Sequence, residues 1–146
     1  MDMISTRGRY ALRVMLDLAQ HEEEGYVSLK TVAERQAISM KYLEMIVGHL
    51  KRAGLVDSSR GKEGGYCLLR APEDYTAGEI LRSIEDSLAP VACLEKKPNT
   101  CARSGECATL FLWEGLEKVV ADYLDGVTLR DILERKSGNA GNNYVI

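Results

Sequence analysis

The sequence predicts a mainly α-helical fold with one small β-hairpin, in which short helices and the hairpin precede a longer C-terminal helix. Three observations carry this. Apolar residues recur at three- and four-residue spacing from Tyr10 to Leu18, from Leu43 to Leu50 and again over Ile80, Leu81 and Ile84; two alternating runs flank the glycine-rich stretch Arg60-Gly61-Lys62-Glu63-Gly64-Gly65; and the longest apolar stripe begins late, at Ala108. A chain of 146 residues with 45% apolar content suffices for one folding unit with a helical appendage and is short for two ordinary domains.

The first helix is expected from Thr6, with Tyr10, Ala11, Val14, Met15 and Leu18 on one face and Gly25 ending the pattern. Ser28 is placed to cap a two-turn helix over positions 29–35, although Thr31 stands where a full capping box has Glu or Gln. Ala37, Ile38 and Ser39 form a turn. A longer helix then runs from Met40 to Ala53, with Leu43, Ile46, Val47 and Leu50 inward and Gly54 just past its end. Positions 55–59 and 66–70 read as strands joined by the glycine-rich turn. Thr76 caps a helix over positions 77–85, and Ala89-Pro90 opens a loop. In the late stripe Leu110, Trp113, Leu116, Val120 and Leu124 fall at helical spacing, widened by Leu112, Val119 and Tyr123 beyond what one surface helix buries, so this helix calls for a partner. Thr128 caps a last short helix over positions 129–133, and the tail has too few apolar residues to anchor it.

Two short helices separated by a tight turn and followed by a hairpin make a winged helix-turn-helix. The predicted organisation is therefore a winged helix-turn-helix at 1–88, a cysteine-bearing loop at 89–107, a dimerisation helix with a short C-terminal helix at 108–136, and a mobile tail at 137–146. In such a fold the second helix enters the major groove of duplex DNA, which makes Ser39, Met40, Lys41, Tyr42 and Glu44 the candidate base or phosphate contacts. A carboxylate at Glu44 accepts from cytosine N4 or repels phosphate, so it bears on which operator is tolerated. At the wing, Gly64 allows close approach to the backbone while Arg60 and Lys62 supply charge.

The charge distribution agrees mildly. The chain as a whole carries a net −3, but residues 1–70 hold eleven Lys/Arg against nine Asp/Glu, a net of +2, and residues 71–146 hold eight against thirteen, a net of −5. No run approaches the ~20 apolar residues of a spanning helix. The N-terminus shows no apolar h-region with a small-residue cleavage site, so a cytoplasmic protein without a membrane partner is expected.

Cys93, Cys101 and Cys107 follow one another as C-x7-C-x5-C. Soft thiolates at loop-length gaps suit iron or zinc, and in a reducing cytosol four cysteines point to metal ligation or redox sensing before structural disulfides. Iron–sulfur, zinc and metal-free thiol readings are all open on spacing alone. Cys67, apart on a wing strand, reads as a small buried hydrophobe. His21, His49 and the Glu22-Glu23-Glu24 run read as structural or solvated. No Gly-rich phosphate loop, nucleophile elbow or acid–base constellation is present, so an enzyme is not expected.

Thr6-Arg7-Gly8-Arg9-Tyr10-Ala11-Leu12, Ile38-Ser39-Met40-Lys41-Tyr42-Leu43-Glu44 and Arg60-Gly61-Lys62-Glu63-Gly64-Gly65-Tyr66 resemble the Rrf2 transcriptional regulators, and the likeness continues through the cysteine loop, Leu112-Trp113 and Val127-Thr128-Leu129. The resemblance implies a homodimeric winged-helix regulator, such as a repressor, bound to a double-stranded DNA operator. It adds Arg7 and Arg9 to the expected DNA contacts and assigns Leu112, Trp113, Leu116, Val120 and Leu124 to dimerisation. It also implies an iron–sulfur cluster, 2Fe–2S or 4Fe–4S, ligated by Cys93, Cys101 and Cys107. The chain departs from the family in two ways. Its first cysteine gap is two residues longer than the family's usual five, and the fourth cluster ligand is not carried over: Leu110 stands where the iron–sulfur cluster regulator has His, and Arg9 where the nitric-oxide sensor has Asp. Glu106, a carboxylate from the other subunit, a small thiol or an open iron site are the alternatives.

Overall fold

Hydroxyl side chains begin most of the helices in the computed structural model, which describes residues 3–62, 64–90 and 108–138. Ser5 Oγ accepts the Gly8 N–H and opens α1 (Thr6–Gln20). Ser28 does the same through Thr31 N–H for α2 (Leu29–Gln36), Ser39 through Tyr42 N–H for α3 (Met40–Arg52), and Thr76 through Glu79 N–H for α4 (Ala77–Ile84). The hairpin strands are β1 (Val56–Ser59) and β2 (Gly65–Leu68), antiparallel with Val56 opposite Leu68 and Ser59 opposite Gly65. After a 3-10 turn at Pro72–Asp74 and α4, the described chain resumes with α5 (Leu110–Gly126) and α6 (Leu129–Gly138). Thr128 and Asp131 cap α6 reciprocally, each backbone N–H donating to the other's side chain at 3.0 Å.

These elements match the predicted mainly helical fold with a single hairpin. One core unites them: Val14, Met15 and Leu18 of α1, Val32 of α2, Leu43, Ile46 and Leu50 of α3, Ile80 and Ile84 of α4 and Leu129 of α6 are all buried. The α1 and α3 stripes predicted from spacing are the ones that face it.

Two boundaries differ from expectation by more than one residue. The second strand stops at Leu68 because the N–H groups of Leu69 and Arg70 turn to the hydroxyl of buried Tyr75, at 2.9 and 3.1 Å; that hydroxyl in turn donates to the Leu55 carbonyl at 2.7 Å. The last helix extends to Gly138, so Ser137 and Gly138, expected in a mobile tail, are helical; the rest of that tail lies outside the described residues.

The wing is anchored at its inner side. Val27 forms a bridge with Tyr66, each N–H donating to the other's carbonyl at 2.8 Å. A Cβ at Gly65 would lie 2.2 Å from the Val27 carbonyl oxygen, so this close approach requires glycine.

The late apolar helix divides into two flanks. Leu110, Trp113, Val120 and Leu124 are half-buried, while Phe111, Leu112, Leu116, Val119 and Tyr123 are exposed, with Phe111, Val119 and Tyr123 at 77%, 65% and 69%. Arg82 of α4 clasps Asp125 of α5 through two hydrogen bonds of 2.6 and 2.9 Å, and the adjacent carboxylate would collide with any side chain at Gly78. The predicted dimerisation residues thus separate: Leu112 and Leu116 lie among the exposed residues, Trp113, Val120 and Leu124 among those half-buried within one chain.

Replacing Tyr75 by Phe removes a hydroxyl that serves two N–H groups and one carbonyl in the interior. We expect a loss of about 1–3 kcal/mol in urea unfolding at an unchanged denaturant slope. An unaltered midpoint would show that the wing base does not depend on this group.

Candidate nucleic-acid interface

The turn between α2 and α3 is made by Ala37, a non-glycine residue in the left-handed region (φ 56°). The reversal places Ser39 at the head of α3, where its Oγ accepts from Tyr42 N–H at 3.2 Å and its own O–H is left as a donor. Leu43, Ile46, Val47 and Leu50 hold α3 against the core, which leaves Met40, Lys41 and Glu44 exposed. Tyr42, expected as a DNA contact, is half-buried and meets Tyr10 of α1 edge-on, with ring centroids 5.6 Å apart. Its ring therefore serves packing between α1 and the reading helix.

The wing tip presents Arg60, Gly61 and Lys62, all exposed, with Gly61 at φ 103° and its carbonyl accepting from Gly64 N–H at 3.0 Å. A Cβ at Gly64 would stand 2.4 Å from the Ser59 carbonyl oxygen, so Gly64 is needed for the tight tip itself. Lys62 and Gly64 also line a polar cleft of about 520 Å³ with Ser28 and Thr31, which brings the tip beside the N-terminus of α2. Glu63 lies outside the described residues. On α1, Arg9 is exposed, its guanidinium donating to Thr6 Oγ1 at 3.2 Å, and Arg7 is half-buried.

Charge is distributed unevenly over this surface. Among the described residues, Arg35, Arg70, Arg82, Lys118 and Arg130 are ion-paired with carboxylates. Arg7, Arg9, Arg13, Lys30, Lys41, Lys51, Arg52, Arg60 and Lys62 form no such pair; beyond β2, Arg135 is the described cation of which the same is true. Uncompensated positive charge therefore gathers on α1, the N-terminus of α2, both ends of α3 and the wing tip, which suits a phosphate backbone.

A buried carboxylate supports the helix-turn-helix from behind. Asp17 of α1 is 1% exposed and accepts from Arg35 Nε and Nη2 at 3.0 and 2.6 Å and from Gln36 Nε2 at 2.9 Å. The carboxylate pushes the Arg35 guanidinium above its ordinary value, against the opposing effect of desolvation. Sequence reading missed this network. Its signal was a carboxylate inside the apolar stripe of Val14, Met15 and Leu18, a position that has to be paired if buried.

Beside the wing, Tyr26 Oη donates to Asp57 Oδ2 at 2.7 Å; this bond, then the carboxylate's charge, pushes the phenol up to about 12, and the same bond, then a backbone hydrogen bond from Ser58, holds Asp57 below its usual range. Cys67, opposite Asp57 in the hairpin, is half-buried, and desolvation with the nearby carboxylate raises its thiol, so little reactive thiolate forms there.

Cys93, Cys101 and Cys107 lie outside the described residues, as does Glu106. Among the described residues no group of three or more His, Cys, Asp or Glu is arranged to hold a metal ion. Leu110, at the position matched to a His ligand, opens α5 as a half-buried residue, and Arg9 offers a cation where a ligand carboxylate would stand. No helix among the described residues is long and apolar enough to cross a membrane.

Comparison with known proteins agrees with this architecture. A family model described as an iron-dependent transcriptional regulator, Rrf2, matches residues 4–135. The structure of T. potens IscR superposes with a TM-score of 0.74 at 38% identity, covering 98% of this chain and 92% of that one. CymR, described as the global cysteine regulator of Bacillus subtilis, gives 0.74 at 40% identity over 92% of this chain and 98% of its own. The oxidized form of Staphylococcus aureus CymR gives 0.70 at 36% identity over 100% and 99%.

Glu44 tests how α3 reads sequence. In a selection from randomised duplexes, Glu44→Ala is expected to relax preference at one base pair per half-site by about 1–3 kcal/mol, with non-specific affinity unchanged or higher. An unchanged preference would remove Glu44 from base readout.

Proposed function

The chain belongs to the Rrf2 family and is a DNA-binding transcriptional regulator, and we propose that it acts as a homodimer whose hold on a roughly palindromic operator answers to an iron–sulfur cluster. The observation that carries the DNA surface is the gathering of unpaired cations on α1, α3 and the wing tip. In this reading Arg7, Arg9, Lys41, Arg60 and Lys62 anchor phosphates, Gly64 lets the wing tip approach the backbone, and Ser39, Met40 and Glu44 face base edges. Tyr42 acts chiefly by fixing α3 against Tyr10.

The dimer reading rests on α5. Leu112, Leu116, Val119 and Tyr123 follow one another at spacings of four, three and four residues, the pattern of a helix–helix seam, and all are exposed in a single chain. We assign this seam, with Phe111, to the partner subunit; Trp113, Val120 and Leu124 support it from the inner flank.

Cys93, Cys101 and Cys107 would hold the cluster through three thiolates, a donor set that suits iron, in the segment joining α4 to α5. When bound, the cluster supplies a centre sensitive to oxidation, nitric oxide or iron supply. The lack of a ligand at Leu110 and Arg9 favours a labile site, which suits sensing. The protein's own part is to join that segment to both halves: Glu85, just past the end of α4, accepts from the Ser5 N–H and hydroxyl at 2.8 and 2.6 Å, and Arg82 grips Asp125. A changed conformation there would bias the spacing of two reading heads.

A second reading is supported by the relative solved in an oxidized form: a metal-free regulator in which these cysteines form disulfides. The two separate in one experiment. Protein purified without oxygen is expected to show broad visible bands with iron and acid-labile sulfide in comparable amounts, and Cys101→Ala to lose them while remaining folded and dimeric. Colourless protein that resists cluster reconstitution yet changes DNA affinity with a thiol oxidant would establish the second reading instead.

Val119→Lys places a charge in the proposed seam. We expect a monomer by light scattering, with DNA affinity strongly reduced; a dimer of wild-type stability would locate the interface elsewhere.

A further inference from the structure

We propose that Arg13 of α1 is a further contact to the DNA phosphate backbone, held in place at the α2–α3 turn by Gln36 and Tyr10; this rests on α2–α3 being the DNA-binding element. Arg13 is exposed. Its Nε–H donates to Gln36 Oε1 at 3.1 Å, and its Nη2 donates to the carbonyl of Gln36, the last residue of α2. Its guanidinium carbon stands 5.0 Å from the Tyr10 ring centroid, and Tyr10 meets Tyr42 in the first turn of α3. The cation is thereby docked at the corner where α2 ends and α3 begins. When a recognition helix enters the major groove by its N-terminal end, the backbone bordering the groove passes this corner.

Two features distinguish Arg13 from a simple clamp. Among the described residues it has no carboxylate partner, because Asp17, one turn further along α1, gives its oxygens to Arg35 and Gln36. Its contacts to Gln36 also leave guanidinium N–H donors unused. Asp17 acts here as a positioning residue: by accepting from Gln36 Nε2 it turns the amide oxygen toward Arg13, so the long side chain is ordered before DNA arrives and loses less freedom on binding. A flipped amide would set its NH2 against the guanidinium and its oxygen against the carboxylate.

The test uses the sequence-independent part of binding, so no operator is needed. Wild type, Arg13→Gln and Arg13→Lys are titrated by fluorescence anisotropy against a labelled random-sequence duplex of roughly 30 base pairs, from about 50 to 200 mM salt. Thermal unfolding controls for fold. Each phosphate contact contributes about 0.9 to the steepness of log affinity against log salt. Arg13→Gln should therefore flatten the slope by about 0.9 for each protomer engaged, equivalent to about a 3.5-fold smaller loss of affinity across that salt range. Arg13→Lys keeps the charge and should retain the wild-type slope. Weaker binding by Arg13→Gln at an unchanged slope overturns the proposal and leaves Arg13 as a clamp on the turn. Should Arg13→Gln unfold, Arg13→Met takes its place: it keeps an unbranched apolar stem without the charge and is expected to flatten the slope by the same about 0.9, whereas an unchanged slope overturns the proposal. Wild-type binding without salt dependence would instead overturn the placement of the DNA-binding element on which the proposal rests.

Discussion

One buried hydroxyl holds the wing to the rest of the protein. Tyr75 Oη donates to the Leu55 carbonyl at the start of the hairpin and accepts from Leu69 and Arg70 N–H at its end, so it closes the open end of a sheet with only two strands. A two-stranded hairpin is marginal alone and needs such support. The same residue reaches the other side through its backbone: its carbonyl accepts from Leu129 N–H at 3.1 Å, and nearby Ala77 N–H donates to the Val127 carbonyl at 2.8 Å. Arg70 stacks over the Tyr75 ring at 4.3 Å and grips Glu79 of α4 with two hydrogen bonds. Wing, α4 and the α5–α6 corner therefore share one fixed point, and the angle of wing to α3 follows from it.

Electrostatics divides the molecule along the same line. In the interior, Asp17 is paired and hydrogen-bonded, as a buried carboxylate has to be. Ion pairs such as Arg82–Asp125 and Arg130–Glu73 tie α4 to α5 and the turn at Pro72–Asp74 to α6; being half exposed, they fix geometry more than they add stability. On the reading side the cations are left without carboxylates. A net negative chain can thus present a positive face, because thirteen of its 22 acidic residues follow position 70 and Asp17 is occupied internally.

Much of this was legible in the sequence because it depends on local chemistry. The caps at Ser28, Thr76 and Thr128, the apolar stripes of α1 and α3 and the glycine-rich hairpin are set by residues within a turn or two of one another. What escaped reading depends on contacts far apart in sequence. The early end of β2 is set by Tyr75 acting across the chain on Leu69, Arg70 and Leu55. The packing of Tyr42 depends on Tyr10, thirty-two positions earlier, and the separation of α5 into inner and outer flanks depends on where α4 lies. A helical stripe states that a face is apolar; it does not state which part of a wide face its own chain will cover.

That separation bears on how a signal in the cysteine-bearing segment would reach DNA. The helix α5 carries the proposed seam on one flank, while on another Asp125 is gripped by α4, itself packed on α1 and α3. The two reading heads of a dimer would then be oriented through the same pair of helices. In such an arrangement a small rotation of α4 against α5 changes the relative placement of both α3 helices, and half-sites one helical turn apart tolerate little change in spacing. The segment between α4 and α5 is the covalent connection of those two helices, and Glu85 at its beginning is bound to the N-cap of α1, the helix that bears Arg7, Arg9 and Arg13. A sensor needs to stand where a local change alters a shared geometry. In sequence, Cys93, Cys101 and Cys107 fall within that connection, where the proposed sensor would stand.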